Sequence, residues 1–571
     1  MRLWSLLLWW SILFLGNGCI SEQKKPLDYQ AVKTAESNRN MIVAAHPLAV
    51  QAGLDLFTKG GNAIDAAVGV QFALAVVCPR AGNLGGGGFM VIRETNRTYH
   101  ALDYREKAPL AAHRDLYLDS LANVVPDASL KGHLASGVPG TVDGLYKAHE
   151  RLGKLSWQEV IQPAIELAEN GFLISEVEAE RLNRYQPDFQ QWNTRPNPFT
   201  ATRHWQEGDR LEQPDLALTL QAIQQQGAPG FYQGWVADSL LAEMERGHGL
   251  ITLEDLEAYQ AVWREPLVFP YKAYQFITMP PPSSGGIALA QMLGMESQLP
   301  AAPSQASEEG YIHYWVEIMR RAYADRATYL GDTDFFPVPL EELMDPTYLG
   351  QQAATIHPTT ASSSDDLATP SFQVQKEHFE TTHTSVVDAD GNAVAITTTL
   401  NSNYGNKVLV GGAGFFLNNE MDDFSLKPGV PNQFGLIGNE ANSIAPGKRM
   451  LSSMTPTIVE KEGQLFLALG SPGGSTIITS VLQVFLNVAE RDMPLAEAIE
   501  KPRFHHQWLP DEIWMEKGGI SLPAQRSLQY QGHRISEKAS LGRVKAIHIL
   551  EDGTRVGAGD PRNPDDHAEG N

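Results

Sequence analysis

Cysteine is nearly absent: Cys19 and Cys78 are the only two in 571 residues. No disulfide framework can hold this chain, and a packed core of ordinary size must do so. Cys78 sits in the apolar run Val76-Val77-Cys78-Pro79 and reads as a buried free thiol, with a bridge to Cys19 the other option. Basic residues are also scarce. Lys and Arg number 44 against 67 Asp and Glu, a formal net charge of −23, which excludes the basic stripe that a nucleic-acid partner needs. Long hydrophobic runs are missing. Residues 3–15, LWSLLLWWSILFL, are too short for a membrane span, and Ala63–Val77 is interrupted by Asp65 and reads as a core helix. Metal ligands do not cluster. His505-His506 would face opposite sides of a strand, with no third ligand near. With 43% hydrophobic and 19% charged residues, the composition that remains is that of a soluble globular protein.

The N-terminus reads as an export signal. Met1-Arg2 supplies a positive charge, the apolar stretch follows, and Gly16-Asn17-Gly18-Cys19 offers small residues at a cut. Signal peptide 1–18 is therefore expected, followed by a polar linker over 19–40. Cys19 just after the cut is similar to a bacterial lipoprotein acylation site, although Gly16 and Asn17 depart from that pattern. The alternatives are a periplasmic protein and one anchored through Cys19. Beyond residue 40 the chain divides into a helix-rich part, 41–380, and a part that begins strand-rich, 381–571. An exposed loop is expected over 354–379, running into Thr381.

Thr381 is the candidate nucleophile. A threonine hydroxyl attacks only when a base takes its proton, and an N-terminal threonine carries that base as its own α-amine. The α-amine has a reference pKa of about 7.7–8, so part of it is neutral near neutral pH. Cleavage between Glu380 and Thr381 would create this group. His383 shares a strand face with Thr381 but is unnecessary as a base, and reads as a structural hydrogen-bonding residue. Downstream, His383–Asp388 and Ala393–Leu400 flank Asp390-Gly391-Asn392, a hairpin signal that returns Thr399 toward Thr381. A second hairpin, Thr457–Val459 and Leu465–Leu469, leads into Gly470-Ser471-Pro472-Gly473-Gly474-Ser475 and a helical run with Ser475 as its expected N-cap. The junction lacks the Gly-Lys-Ser/Thr ending of a phosphate loop. It reads as a tight turn or, beside a nucleophile, as an oxyanion hole. Gly85–Gly88 reads as close backbone packing near the pocket.

Several separate motifs stand in order along the chain. They are Gly60-Gly61-Asn62-Ala63, Asn83-Leu84-Gly85-Gly86-Gly87-Gly88, Asp103-Tyr104-Arg105-Glu106, Ser136-Gly137-Val138-Pro139-Gly140 and Pro281-Pro282-Ser283-Ser284-Gly285-Gly286. They continue with Thr381-Thr382-His383, Asn418-Asn419-Glu420-Met421-Asp422-Asp423-Phe424, Leu451-Ser452-Ser453-Met454 and Ser471-Pro472-Gly473-Gly474-Ser475. Together these motifs resemble the γ-glutamyltranspeptidase (glutathione hydrolase) family of N-terminal-nucleophile hydrolases, and the resemblance implies an α+β fold, a four-layer αββα sandwich. It also implies a precursor that cuts itself into a large subunit, 41–380, and a small subunit, 381–571, which stay together as a heterodimer.

It implies further that Thr381 is the nucleophile, that Thr399 helps activate it, and that Gly473 and Gly474 form the oxyanion hole, Gly474 also meeting substrate. Arg105, Ser452 and Ser453 would hold a glutamyl α-carboxylate, a task suited to a planar guanidinium. Asn401, Glu420 and Asp423 would hold the α-amino group, and Asp422 reads as a solvated neighbour. Phe434 stands in a lid loop where some bacterial members place tyrosine, so a looser gate is expected. Glutathione and other γ-glutamyl compounds are the implied donors, water and amino acid or peptide amines the acceptors, with no metal or organic cofactor.

Two other readings remain. One is another acylase on the same frame, of the cephalosporin or poly-γ-glutamate kind. Arg105 with Glu420, Asp423 and the paired serines opposes the first, and an intact lid opposes an open cleft for a polymer. The other is an exported, unprocessed binding protein, against which the full set of Thr381, Thr399 and Gly473-Gly474 argues.

Overall fold

The computed structural model describes residues 29–300, 303–367 and 381–571. Signal peptide 1–18, Cys19 and Glu380 lie outside them. The architecture rests on fourteen strands, here β1 Thr34–Ser37, β2 Met41–Ala44, β3 Gly87–Arg93, β4 Tyr99–Tyr104, β5 Val262–Arg264, β6 Leu267–Tyr271, β7 Tyr274–Thr278, β8 Thr381–Val387, β9 Ala393–Thr399, β10 Thr457–Lys461, β11 Gln464–Gly470, β12 Lys545–Ile549, β13 Arg555–Ala558 and β14 His567–Gly570. They form two seven-stranded sheets, ordered β1-β13-β12-β11-β10-β7-β6 and β14-β2-β8-β9-β3-β4-β5.

Side-chain alternation explains the layers. In β2, Met41 and Val43 point into the space between the sheets, where Phe89, Val91, Ile277, Ile458, Ala468 and Ile547 meet them. Ile42 and Ala44 point the other way, with Met90, Ile92, Val394 and Ile396, onto helices. A strand buried on both faces reads as a continuous apolar run, and stacked sheets need one such face each. The helices against this sheet include α1 Pro47–Thr58 and α2 Ala63–Val77, and α3 Trp157–Asn170 packs in turn on α2. All fifteen residues of α2 are buried, so it is the core helix expected from its composition. Asn62 and Asp65 cap its first turn reciprocally. Against the outer face of the other sheet lie α4 Gly285–Ser297 and α6 Ile477–Arg491, and α5 Glu308–Tyr329 packs on α4. The result is the four-layer αββα sandwich.

Strands from both sides of residue 380 are interleaved. β8 lies between β2 and β9, and β9 pairs in turn with β3. Each sheet therefore draws strands from both parts of the chain, and a cut before Thr381 would leave both hydrogen-bonded ladders intact.

Three local expectations are corrected. The span 19–40, read as a linker, contains β1, a short polar strand whose register with β13 runs from Thr34↔Ala558 to Ser37↔Arg555. The loop expected over 354–379 is not exposed throughout. Ser364 is buried, its N–H donates to Asp511 Oδ2 at 2.9 Å, and its hydroxyl to the Trp508 carbonyl at 2.6 Å. Ser475 does not cap α6. Residues Gly474–Thr476 form a 3-10 turn, and Thr476 occupies the cap position without a side-chain cap bond. Cys78 is a buried free thiol. Among the described residues no helix is long and apolar enough to cross a membrane.

Candidate active site

Thr381 is the first residue of β8, and its direct register partner is Thr399, the last of β9. Residues directly opposite on antiparallel strands present their side chains to the same face at close range. Here the Thr381 and Thr399 hydroxyls stand 3.3 Å apart. The Asn401 backbone N–H donates to Thr399 Oγ1 at 2.7 Å, which leaves the Thr399 proton free to turn toward Thr381. The expected hairpin thus delivers both threonines to one point. Gly86 and Gly88 explain how β3 fits beside them. A Cβ on Gly86 would lie 2.1 Å from the Thr399 carbonyl oxygen, and one on Gly88 2.5 Å from that of Thr397. The glycine run serves close backbone approach.

His383 is buried on the same face, but both ring nitrogens are engaged, by Thr397 Oγ1 at 2.9 Å and Ser385 Oγ at 3.0 Å. Burial holds its pKa well below the ordinary histidine range, so it is neutral and structural. His505 contacts Thr479 and Gln507, and His506 contacts Asp511. Among the described residues no group of three or more His, Cys, Asp or Glu could hold a metal ion.

The two threonines line a cavity of about 20 Å3, whose wall includes Arg105, Arg326, Asn401, Glu420, Asp423, Phe434, Ser452, Ser453 and Gly474. Gly474 forms part of this wall, and Gly473 precedes it at φ 138°, a conformation open to glycine. The Thr476 N–H and hydroxyl both donate to the Gly473 carbonyl, at 3.0 and 2.8 Å, fixing the turn. The fold therefore brings this backbone junction to the same cavity as Thr381.

Arg105 is buried at the centre of a carboxylate cluster. Its Nη1 contacts Glu420 Oε2 at 2.6 Å and Glu106 Oε2 at 3.3 Å, and its Nη2 contacts Asp423 Oδ2 at 2.5 Å. Burial pushes the Glu420 carboxyl well above its usual range, and the Arg105 charge pulls it back. Asp423 is raised by burial in the same way. Glu420 Oε1 is buried without a hydrogen-bond partner. The residues expected to divide a substrate's two charges are thus paired with one another here. Three carboxylates around one guanidinium favour an incoming ammonium, and its companion carboxylate can take over the guanidinium fork. A cavity of about 20 Å3 holds roughly a single water, which needs about 10–15 Å3. Admission of any group larger than a water therefore requires the wall, Phe434 and these ion pairs included, to shift.

The loop around Phe434, expected to act as a lid, is fastened through backbone. Asp422 accepts the Gln433 N–H at 2.9 Å, and the Phe434 carbonyl accepts from Gln507 Nε2 at 3.0 Å. Asn401 Nδ2 donates to the Asn419 carbonyl at 3.0 Å. Asp422 is therefore no solvated bystander. It is buried, bonded also to Ser129 Oγ at 2.6 Å, and its pKa is pushed up by burial to about 7. Sequence reasoning also missed Arg326 and Ser284, whose side chains meet beside Ser453. The Ser283-Ser284 pair stood in a quoted motif, but Arg326 lies inside a long helix with nothing in its spacing to single it out.

The γ-glutamyltranspeptidase family profile matches residues 49–570. A glutathione hydrolase proenzyme of Escherichia coli K12 is 44% identical over 566 residues, 97% of each chain. The γ-glutamyltranspeptidase structure from Helicobacter pylori is 44% identical, with TM-score 0.54, covering 58% of this chain and 96% of its own. A cephalosporin acylase from Bacillus halodurans shares the fold at TM-score 0.81 and 23% identity, covering 97% of this chain and all of its own. Its low identity carries the fold and nothing about substrate. The profile match over most of the chain and the 44% identity to a full-length relative lead to one conclusion: this chain belongs to the γ-glutamyltranspeptidase family.

Proposed function

We propose that the protein is a self-processing glutathione hydrolase and γ-glutamyltransferase. The observation that carries this reading is the Thr381–Thr399 hydroxyl pair, 3.3 Å apart, in a cavity walled by Arg105, Glu420, Asp423, Ser452 and Ser453. In the precursor, Thr381 Oγ1 attacks the Glu380 carbonyl carbon. The Glu380–Thr381 C–N bond breaks as the acyl group moves to oxygen, and water hydrolyses the ester. Glu380 then ends a large piece as a carboxylate, and Thr381 begins a small piece as a free amine. That amine takes the Thr381 hydroxyl proton in each later cycle.

In turnover, Oγ1 attacks the γ-carbonyl of a γ-glutamyl amide. Backbone N–H groups at Gly473-Gly474 stabilise the oxyanion, and the proton passes to the departing amine. A γ-glutamyl ester remains on Thr381 until water gives glutamate, or an amino acid or peptide amine gives a new γ-glutamyl product. Arg105, Ser452 and Ser453 hold the α-carboxylate, and Asn401, Glu420 and Asp423 the ammonium. Export by residues 1–18, to the periplasm or to a membrane through Cys19, completes the proposal.

Rapid quenching with a γ-glutamyl anilide, followed by peptide mapping, tests the intermediate. The expected result is a glutamyl adduct on the fragment that begins at Thr381. Turnover with the adduct on another residue refutes the assignment.

A further inference from the structure

Two arginines reach the cavity, and they are held differently. Arg105 is surrounded by carboxylates. Arg326 is equally buried, but its hydrogen bonds go to neutral hydroxyls: Nε donates to Ser284 Oγ at 3.0 Å and Nη2 to Ser453 Oγ at 3.2 Å. Among the described residues it forms no ion pair with a carboxylate, and Asp423 acts on it only at longer range. A buried guanidinium with no counter-ion is costly unless a ligand supplies one.

The donor and acceptor pattern points the same way. Guanidinium N–H groups only donate. Ser453 Oγ accepts from Arg326, so its own proton must be given elsewhere, and the cavity lies in front of it. Ser284 Oγ accepts from Arg326 and donates to the Ser452 carbonyl at 2.7 Å. Ser452 Oγ in turn accepts the Met454 N–H at 3.1 Å, which leaves its proton available as well. Arg326 thus turns one serine hydroxyl directly toward the cavity and steadies the backbone that carries the other. Tyr323, one turn earlier on α5, donates to the Ser475 carbonyl beside the oxyanion turn. One helix face braces both ends of the cavity.

We propose that Arg326 is the positioning residue of the α-carboxylate subsite: it orients Ser453 and Ser452 as donors and supplies the second positive charge that a glutamyl carboxylate meets. The inference rests on the glutamyl reading of this site.

Three anilides that share a leaving group separate a carboxylate role from a general one. γ-Glutamyl anilide carries both headgroup charges, 4-aminobutyryl anilide lacks the α-carboxylate, and glutaryl anilide lacks the α-amine. In Arg326→Met, kcat/KM for the γ-glutamyl and glutaryl donors should fall about tenfold to a hundredfold, the range for losing hydrogen bonds to a charged group. The 4-aminobutyryl rate, for a donor without the α-carboxylate, should fall far less. Ser453→Ala should produce part of the same loss, and Arg326→Met with Ser453→Ala together should lose less than the product of the two. Arg326→Lys, which keeps the charge without the fork, should show the same selectivity to a smaller degree.

Equal falls for all three donors, or no fall, overturn the proposal, as does failure of both Arg326 variants to self-process while the unaltered protein does so. Unaltered protein that turns over none of the three donors refutes the proposed function instead.

Discussion

Arg105→Lys probes the headgroup cluster at its centre. The guanidinium spans Glu420 Oε2 at 2.6 Å and Asp423 Oδ2 at 2.5 Å with two different nitrogens, and its Nε reaches the Met450 carbonyl at 3.3 Å. A single ammonium cannot hold these positions together, so at least one charge-assisted contact is lost. Such a contact is worth about 1.5–3 kcal/mol, and about 1.4 kcal/mol is tenfold. The expected result is a kcat/KM for γ-glutamyl anilide about ten to a hundred times lower, mostly through KM. Self-processing should persist, because Thr381 and Thr399 are untouched.

Stability should change with a definite sign. Glu420 and Asp423 are held above their usual pKa by burial, with Arg105 opposing. A carboxyl raised by folding contributes stability that is full below its unfolded value and lost as pH rises through the folded one. Weakening the Arg105 contact raises these groups further, so the variant should lose more stability than the parent between acid and neutral pH. Urea unfolding at the two ends of that range measures it. Undiminished kcat/KM in a processed, folded Arg105→Lys protein would refute the assignment of Arg105 to the carboxylate.

Other perturbations have equally definite outcomes. Thr399→Val removes the hydroxyl 3.3 Å from Thr381 and should slow both self-cleavage and turnover about 10²–10⁴-fold, the range for losing an aid to proton transfer; time-resolved gel analysis of processing checks this. Gly473→Ala places a Cβ 2.7 Å from Thr476 Oγ1 and 2.9 Å from Gly542 Cα at φ 138°. It should abolish activity, and a fully active variant in a colorimetric anilide assay would remove this turn from the mechanism. Asp422 is buried with a pKa pushed up to about 7, so its stabilising contribution is full below the unfolded value of about 3.9 and is lost as pH climbs from there through 7. Asp422→Asn keeps partners for Ser129 and Gln433 without the charge and should flatten the fall in Tm between pH 5 and 8.

The parts of this molecule that sequence made legible are those set by local rules. Asp390-Gly391-Asn392 between two β-branched runs fixes the β8–β9 hairpin, and the hairpin register delivers Thr399 to Thr381. Apolar Ala63–Val77 with Asn62 at its cap is helix α2. The glycine runs mark close backbone approach, and the motif set gives the family and sandwich. What sequence could not reach depends on distant pairings. Arg105 meets Glu420 and Asp423 across 315 and 318 positions, and no local signal shows that they neutralise one another without substrate. Asp422 looks like one more acid in an acidic run, yet burial and the Gln433 N–H make it a fastening for the loop around Phe434. β1 is short and polar, and only its pairing with β13 makes it a strand. Ser475 has the chemistry of a cap, but the 3-10 turn shifts that position by one residue.

The central claim is that Thr381 becomes an N-terminus by its own chemistry. Intact mass and N-terminal sequencing of the purified protein, beside Thr381→Ala, test it most directly. The expected result is two fragments from the unaltered chain, the smaller beginning Thr-Thr-His-Thr, and one uncut chain from the variant. A single uncut chain in both would contradict the account, because the α-amine that serves as base would not exist.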